Sequence, residues 1–123
     1  MKCVFCEIPV NEIIFEDRHF LIKYDKYPVS PGHMLIISKY HYETYFDLPN
    51  SMKTSLVNQI EKVYRHLKLV YSDVDGYNIG MNCGAVSGQT VPHFHCHVIP
   101  RYKGDVDDPT GGVRGVIPSK QKY

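Results

Sequence analysis

The segment 91–100, VPHFHCHVIP, carries histidine at three alternate positions: His93, His95 and His97. Successive side chains of a β-strand point to opposite faces, so this spacing predicts all three imidazoles on one face. Neutral imidazole is a nucleophile and a general base near pH 7, with an ordinary pKa of about 6.5. The row therefore predicts a catalytic or metal-binding face and argues against a merely solvated strand. The apolar residues between the histidines should be buried on the opposite face: Phe94, Cys96 and Val98.

A short glycine-containing loop precedes the histidine row. Segment 84–90, GAVSGQT, ends in two side chains that can form hydrogen bonds, Gln89 and Thr90. Glycines allow backbone N–H groups to approach an anion closely. Beside the histidines, this loop predicts a phosphate cradle, although such a loop by itself is more often a turn.

A second motif is the pair Cys3 and Cys6, at C-x₂-C spacing. Two thiolates at this spacing can bind one tetrahedral Zn²⁺, which then needs two more ligands. By itself the pair is half a site, and two buried cysteines are the alternative interpretation. A thioredoxin-type redox pair is disfavoured because no βαβ pattern surrounds it.

The elements that must position these residues form an α+β pattern. Segments 15–17 and 20–24 predict a hairpin, 33–38 an apolar strand, and 76–82 and the histidine row two more strands, with Tyr77, Ile79 and Met81 on one side of the first. Start signals at 47–50 precede one apolar stripe of a helix of about 20 residues. The order predicts an antiparallel sheet of about five strands backed by one long helix. The stripe consists of Met52, Leu56, Ile60, Val63, Leu67 and Val70.

After Arg101 the sequence loses any period, so we expect 103–123 to be an irregular C-terminal tail within one domain, 1–123. Its segment 111–115, GGVRG, carries Arg114 on a flexible glycine frame. From there a guanidinium could reach the far phosphates of an extended substrate. A disordered end is the alternative.

Length and charge restrict the classes of protein. The chain has 123 residues and a net charge of +1. The length suffices for one domain with a real core, and the charge gives no reason to expect a nucleic-acid or membrane surface. No apolar run approaches the roughly 20 residues of a transmembrane helix. We therefore expect a cytoplasmic protein with reduced cysteines.

The histidine row and its surroundings resemble a known signature. HFHCHVI, preceded by GQTV, resembles the pattern His-φ-His-φ-His-φ-φ of the histidine triad (HIT) superfamily of nucleotide hydrolases and transferases, where φ is apolar. Further blocks extend the resemblance over nearly the whole chain: CVFCEI, YDKYPVSPGHMLIISKYH and GYNIGMNCG. Cys96 departs from the pattern but should pack as a small hydrophobe. Pro92 replaces a bulkier apolar residue, which would shift the entry of the strand.

The resemblance implies a closed structural zinc site. Zinc-bearing HIT proteins combine the N-terminal cysteines with one histidine after the apolar strand and with the first histidine of the triad. The matching residues are Cys3, Cys6, His41 and His93. Four protein ligands leave no position for water, so this zinc would fasten the N-terminus to the sheet and take no part in catalysis.

The resemblance also implies roles around a nucleotide. His95 would attack the α-phosphate and form a nucleotidyl-histidine, while His97 would bind the phosphate or protonate the leaving group. Asp25 matches a carboxylate that accepts hydrogen bonds from the ribose hydroxyls. The other matches would contact the phosphate or line the pocket: His33, Asn82, Gly88, Gln89 and Thr90.

The implied function is a nucleotide hydrolase or transferase that cleaves the bond at the α-phosphate of an AMP-type nucleotide. Its partner would be a purine nucleotide or dinucleotide, and the protein would be a homodimer, like most of the family. Dinucleoside polyphosphates and nucleoside phosphoramidates are both candidate substrates. A non-catalytic nucleotide-binding adaptor and a metal-binding His/Cys module are the alternatives.

Overall fold

The computed structural model describes residues 3–123, in which one five-stranded antiparallel sheet packs against one long helix. The spatial order of the strands is β1-β2-β3-β5-β4. This arrangement confirms the predicted α+β fold. The elements are β1 (Phe15–Glu16), β2 (Phe20–Tyr24), β3 (Met34–Ser38), α1 (Asn50–Val70), β4 (Gly76–Gly80) and β5 (His95–Arg101).

The predicted hairpin is formed by β1 and β2, which pair antiparallel with Phe15 opposite Ile22. One carboxylate oxygen of Asp17 closes the turn, because it accepts from the backbone N–H of His19 at 2.8 Å and of Phe20 at 2.7 Å. A side chain that satisfies two turn amides is a common reason for aspartate in this position.

The two faces of the sheet are covered by different parts of the chain. One face packs on α1, and there Phe94, Cys96 and Val98 are buried as predicted, each no more than 1% exposed. The other face carries a smaller apolar cluster that the N-terminal segment covers. Burial of each such aliphatic side chain contributes about 2 kcal/mol, so the N-terminal segment is held to the sheet by its own apolar contacts. This smaller cluster consists of Leu21, Leu35 and Ile37 with Phe5, Ile8 and Ile13.

Helix α1 begins at Asn50, directly after Pro49, and buries a stripe that differs from the predicted one. Gln59 lies on the buried face, whereas Ile60 is only partly buried and Val70 is 55% exposed. The two sets keep the helical repeat equally well, and four of the predicted residues are buried: Met52, Leu56, Val63 and Leu67. Within the described residues, no helix combines the length and the apolar character that a membrane crossing requires.

Two strands are shorter than predicted. β5 begins at His95, so His93 precedes it, and β4 ends at Gly80. β4 lies at the edge of the sheet, where Tyr77 packs against the core while Ile79 is 45% exposed. In 103–123 the structure has only short 3₁₀ turns, at Gly112–Val116 and Pro118–Lys120, which agrees with the predicted irregular tail.

Candidate active site

A cleft of about 700 Å³ opens between the N-terminal segment and the sheet face that carries the histidine row. This volume is in the range of pockets that hold small ligands. Its lining is mixed: the N-terminal segment contributes apolar side chains together with Glu7 and Glu12, and β5 contributes His95 and His97. The apolar lining includes Val4, Phe5, Ile8, Pro9 and Leu35, and the polar lining includes Asp25, Asn82, Gly88 and Thr90.

His95 is held in one tautomer by the backbone. Its Nδ1 lies 2.8 Å from the carbonyl oxygen of His93. A carbonyl can only accept, so Nδ1 carries the proton and donates it, and Nε2 keeps its lone pair. The ring of Phe5 packs against the imidazole of His95 in an edge-to-face arrangement, with centroids 4.9 Å apart. The result is a positioned nucleophilic nitrogen on the wall of the cleft.

His97 and His33 form a hydrogen-bond chain whose direction is also fixed. The backbone N–H of Val29 donates to His33 Nδ1 at 3.0 Å, so neutral His33 carries its proton on Nε2. That proton is donated to His97 Nδ1, 2.9 Å away. His97 Nδ1 is therefore an acceptor, and its remaining proton is on Nε2. His97 therefore offers a neutral Nε2–H donor to a ligand in the cleft.

Burial keeps His97 neutral. The pKa of His97 is lowered to about 4, mainly by loss of solvation and then by the neighbouring His95 and His33, while the carboxylate of Asp25 acts in the opposite direction. The pKa of His33 is lowered as well, mainly by burial. Both imidazoles are thus uncharged near pH 7, in agreement with the hydrogen-bond chain.

Asp25, His33 and His97 bring three ligand atoms within 4.8 Å of one another, a spacing that a metal ion could occupy. The hydrogen bonds argue against this use. His33 would have to bind the metal through Nε2, but the Val29 amide engages Nδ1 and so keeps the proton on Nε2. The group is a hydrogen-bond chain.

A second group of ligand atoms does suit a metal. Cys3 Sγ lies 3.3 Å from His93 Nδ1, and Cys6 Sγ lies 3.2 Å from His41 Nδ1. All four ligand atoms are within 4.8 Å of one another, and a tetrahedral Zn²⁺ sets sulfur–nitrogen separations of about 3.6 Å. His93 Nε2 donates to the carbonyl oxygen of Ser38 at 2.7 Å, which leaves the lone pair on Nδ1, as a metal ligand needs. The residues fit zinc.

The loop before the histidine row is braced by the side chain of Gln89. Its Oε1 accepts from the backbone N–H of Gly84 at 2.8 Å, and its Nε2 donates to the carbonyls of Glu43 at 2.7 Å and Val91 at 3.1 Å. Gly88 adopts a φ of 97°, in the left-handed region that favours glycine. The cleft is lined by Gly88 and Thr90 but not by Gln89, so the amide predicted to contact phosphate is engaged in holding the loop.

A family model described as "HIT domain" matches residues 7–104. The chain belongs to the HIT family. An uncharacterized HIT-like protein of Methanocaldococcus jannaschii is 40% identical over 107 residues, which are 84% of this chain and 81% of that protein. A crystal structure of a HIT family member from Bacillus subtilis superposes with a TM-score of 0.77, at 31% identity over 85% of this chain and 77% of that one.

Other HIT relatives carry names that state an activity or a metal. A zinc-bound histidine triad protein of Mycobacterium smegmatis has a TM-score of 0.75, at 35% identity over 84% of this chain and 77% of that one. The asymmetrical bis(5'-nucleosyl)-tetraphosphatase of Schizosaccharomyces pombe is 34% identical, over 85% of this chain and 57% of that protein. The adenosine 5'-monophosphoramidase of Saccharomyces cerevisiae is 33% identical, over 80% of this chain and 62% of that protein.

The matched HIT region ends at residue 104, near the start of the tail, and Arg114 binds backbone groups within the tail. Arg114 donates from its guanidinium to the carbonyl of Lys120 at 2.9 Å and from Nε to that of Gln121 at 3.2 Å. The guanidinium also lies over the ring of Tyr123, 4.7 Å from its centroid. Arg114 is not among the residues that line the cleft of the same chain.

One pair of cleft residues was not predicted from the sequence. Lys23 on β2 forms an ion pair with Glu12 of the N-terminal segment, with Nζ and Oε1 3.1 Å apart. Both line the cleft. The signal was present, because Lys23 interrupts the apolar run FLIKY at a position that shares its face with Asp25.

Proposed function

We propose that this chain is a nucleotide hydrolase that cleaves the bond at the α-phosphate of an AMP-type nucleotide through a nucleotidyl adduct on His95. The observation that supports this most directly is the hydrogen bond from His95 Nδ1 to the His93 carbonyl, 2.8 Å long. It supplies a neutral imidazole with its Nε2 lone pair available in a nucleotide-sized cleft. Relatives named for nucleotide hydrolysis support the same class of reaction.

The first step forms one bond and breaks one bond. His95 Nε2 attacks the α-phosphorus, and the leaving group departs with the electron pair of its bond to phosphorus. The adduct carries a positive charge on the ring, which the His93 carbonyl stabilises through the Nδ1 proton. Water then attacks the phosphorus and gives up a proton to solvent. The P–N bond breaks with its electron pair returning to Nε2, which releases the nucleoside monophosphate and restores His95 with its proton on Nδ1.

His97 acts as a hydrogen-bond donor to the phosphoryl oxygens or to the leaving atom. A neutral imidazole that gave up its Nε2 proton would become an imidazolate, which is unfavourable at neutral pH. A polyphosphate can leave as an anion and needs no proton from the enzyme. An amine, in contrast, must acquire a proton from water or already carry it, so a phosphoramidate places the greater demand on this site.

The other predicted contacts complete the proposed complex. Gly88, Thr90 and Asn82 would donate hydrogen bonds to the non-bridging oxygens of the α-phosphate. Negative charge must be stabilised on these oxygens. Asp25 would accept from the ribose hydroxyls, while its Oδ1 already accepts from the backbone N–H of Tyr27 at 2.9 Å. Gln89 would act through the loop that it holds.

We propose that Cys3, Cys6, His41 and His93 hold one structural zinc, as their geometry permits. The bound metal would tie the loop that carries Phe5 to the histidine row. Zinc lies outside the reaction itself in this proposal.

We propose a homodimer in the cytoplasm, with 1–123 as one domain. β4 lies at the edge of the sheet, where Ile79 is 45% exposed and Met81 is 36% exposed. Edge strands of this kind are suited to pairing with another copy.

The test is a His95→Asn variant assayed on dinucleoside polyphosphates and nucleoside phosphoramidates. Turnover should fall by several orders of magnitude, since the covalent route is lost, while nucleotide binding and metal content remain. Quenched wild-type reactions should yield a nucleotidyl mass on the peptide that contains His95. His19→Asn is the matched control, because His19 does not line the cleft.

Each alternative has its own signature in this experiment. A non-catalytic adaptor would bind nucleotide but yield neither turnover nor an adduct with any substrate of the two classes. A metal-binding module built on the histidine row would lose its metal together with His95. A nucleotidyl label on His93 or His97 would show that the wrong histidine has been assigned.

A further inference from the structure

Lys23 is unusual because a charged amine is almost fully enclosed at the wall of the cleft. The residue is 6% exposed, and its ammonium lies 3.1 Å from Glu12 Oε1. A lysine with so little exposure is rare unless its charge is paired. Glu12 supplies one acceptor, but an ammonium has three donors. Lys23 therefore has donor capacity left for a ligand in the cleft.

The register of the sheet gives the distance between Lys23 and the histidines. Lys23 is opposite Leu35 on β3, and Leu35 is opposite His97 on β5. The three residues thus form one row on the same face, and Lys23 is two strand spacings, or about 10 Å, from His97. This separation is comparable to the reach of a nucleotide from its α-phosphate to its base.

The lining between these two ends suits a flat aromatic ring. Leu35 is the residue between Lys23 and His97, and Phe5 and Ile8 cover it from the N-terminal segment. Apolar side chains of this kind pack on the faces of a base but do not distinguish one base from another. Discrimination requires hydrogen bonds to the edge of the ring, and the Lys23–Glu12 pair is available for them.

We infer that Lys23 and Glu12 read the edge of the nucleobase and select a 6-oxopurine, such as guanine, over adenine. The inference rests on the proposed function, because it requires the α-phosphate at His95. The ammonium can only donate, so it matches the O6 acceptor of guanine and opposes the 6-amino group of adenine. The carboxylate can only accept, so it matches the N1–H of guanine, where adenine has a lone pair.

The relative depth of the two groups supports this assignment. The side chain of Lys23 is 8% exposed, whereas that of Glu12 is 33% exposed. The ammonium therefore lies deeper and would meet the substituent at C6, while the carboxylate is closer to the rim. An ammonium in an enclosed site strongly penalises a ligand group that can only donate to it.

Two other roles for the pair predict a different result. As a purely structural link, the ion pair would hold the N-terminal segment to the sheet, and its loss would weaken the binding of all nucleotides by the same factor. As a phosphate contact, Lys23 would likewise act on every base equally. The ratio between guanine and adenine nucleotides separates these roles from base reading.

The experiment measures the Kd of GMP and of AMP by calorimetry, and kcat/KM for guanosine and adenosine 5'-phosphoramidates. Wild-type protein should favour the guanine ligand about tenfold or more, as expected for a hydrogen bond to a charged group. Lys23→Met should lower the ratio several-fold, because the donor to O6 is lost while Glu12 can still accept from N1–H. Lys39→Met is the matched control, because Lys39 forms a 2.6 Å ion pair with Glu16 outside the cleft and its loss should leave the ratio as in wild type.

A charge-exchanged double variant, Glu12→Lys with Lys23→Glu, guards against misfolding of the single one. It retains an ion pair but places the acceptor deep in the cleft, so the preference should move towards adenine. The inference would be overturned if Lys23→Met weakened the binding of GMP and AMP by the same factor. An unchanged ratio of guanine to adenine affinity in the double variant would also overturn it. If the protein bound GMP more tightly than AMP but hydrolysed neither phosphoramidate, the proposed hydrolase activity would be contradicted. If it hydrolysed both phosphoramidates equally well, only the inference about base selection would be contradicted.

Discussion

Protonation of His97 should destabilise the folded protein, because the surroundings of this imidazole favour its neutral form. Its Nδ1 accepts from His33 at 2.9 Å, and burial lowers its pKa to about 4. The groups that face it are His33, His95 and Asp25, of which only the carboxylate favours the charged form. In the unfolded chain the same imidazole titrates with an ordinary pKa of about 6.5.

The sign of the effect follows from proton binding. Between pH 6.5 and 4 the unfolded state binds a proton at His97 that the folded state excludes, so the free energy of unfolding falls as the pH falls through this window. Each pKa unit corresponds to about 1.4 kcal/mol, which gives roughly 3 kcal/mol for this shift. Below pH 4 both states are protonated, and His97 contributes no further loss.

Urea denaturation of the wild type and of His97→Gln at pH 7, 6, 5 and 4 measures the effect. The glutamine oxygen can still accept from His33, but the side chain does not titrate. Wild-type protein should lose roughly 3 kcal/mol more than the variant between pH 7 and 4, because only the wild type carries a titrating group at position 97. Parallel curves for the two proteins would refute the assignment of a neutral, buried His97.

Two further variants test the metal site and the tail. Cys6→Ser should release zinc and lower Tm by several degrees, since metal–ligand bonds contribute directly to folding, while the folded fraction keeps some activity; zinc content of one per chain with unchanged Tm would contradict the site. Arg114→Ala should raise KM for dinucleoside polyphosphates more than for a short AMP ester. An equal effect on both substrates would mean that Arg114 serves only the carbonyls of Lys120 and Gln121 that it binds within the tail.

The parts of the fold that depend on local periodicity were predictable. The alternation that buries Phe94, Cys96 and Val98 follows from strand geometry alone and is observed. Four residues of the α1 stripe were also predictable, but the pattern of apolar residues did not include Gln59. Gln59 is buried since its Nε2 donates to Asp17 Oδ2 at 2.7 Å, and the sequence does not tell which residue lies opposite.

The sequence predicted those parts of the site that depend on residue type and on spacing along the chain. It did not predict contacts between residues that are distant in the sequence. The group of Cys3, Cys6, His41 and His93 joins parts of the chain up to 90 positions apart, and only the resemblance to a family connected them in advance. The engagement of Gln89 by backbone groups had no signal, because any carbonyl or amide can be its partner. Lys23 had a local signal but no visible partner until the N-terminal segment was positioned on the sheet.

The acceptor that fixes the tautomer of His95 is a main-chain carbonyl, and this has a consequence for how the site can vary. No substitution of a side chain can delete a carbonyl oxygen, so every residue at position 93 would present the same acceptor as long as the backbone path is kept. The ring of His93 can therefore be devoted to the cysteines and to Ser38, 2.7 Å from its Nε2. The identity of residue 93 can change with the cysteine cluster, while the hydrogen bond that orients the ring of His95 is inherited from the backbone.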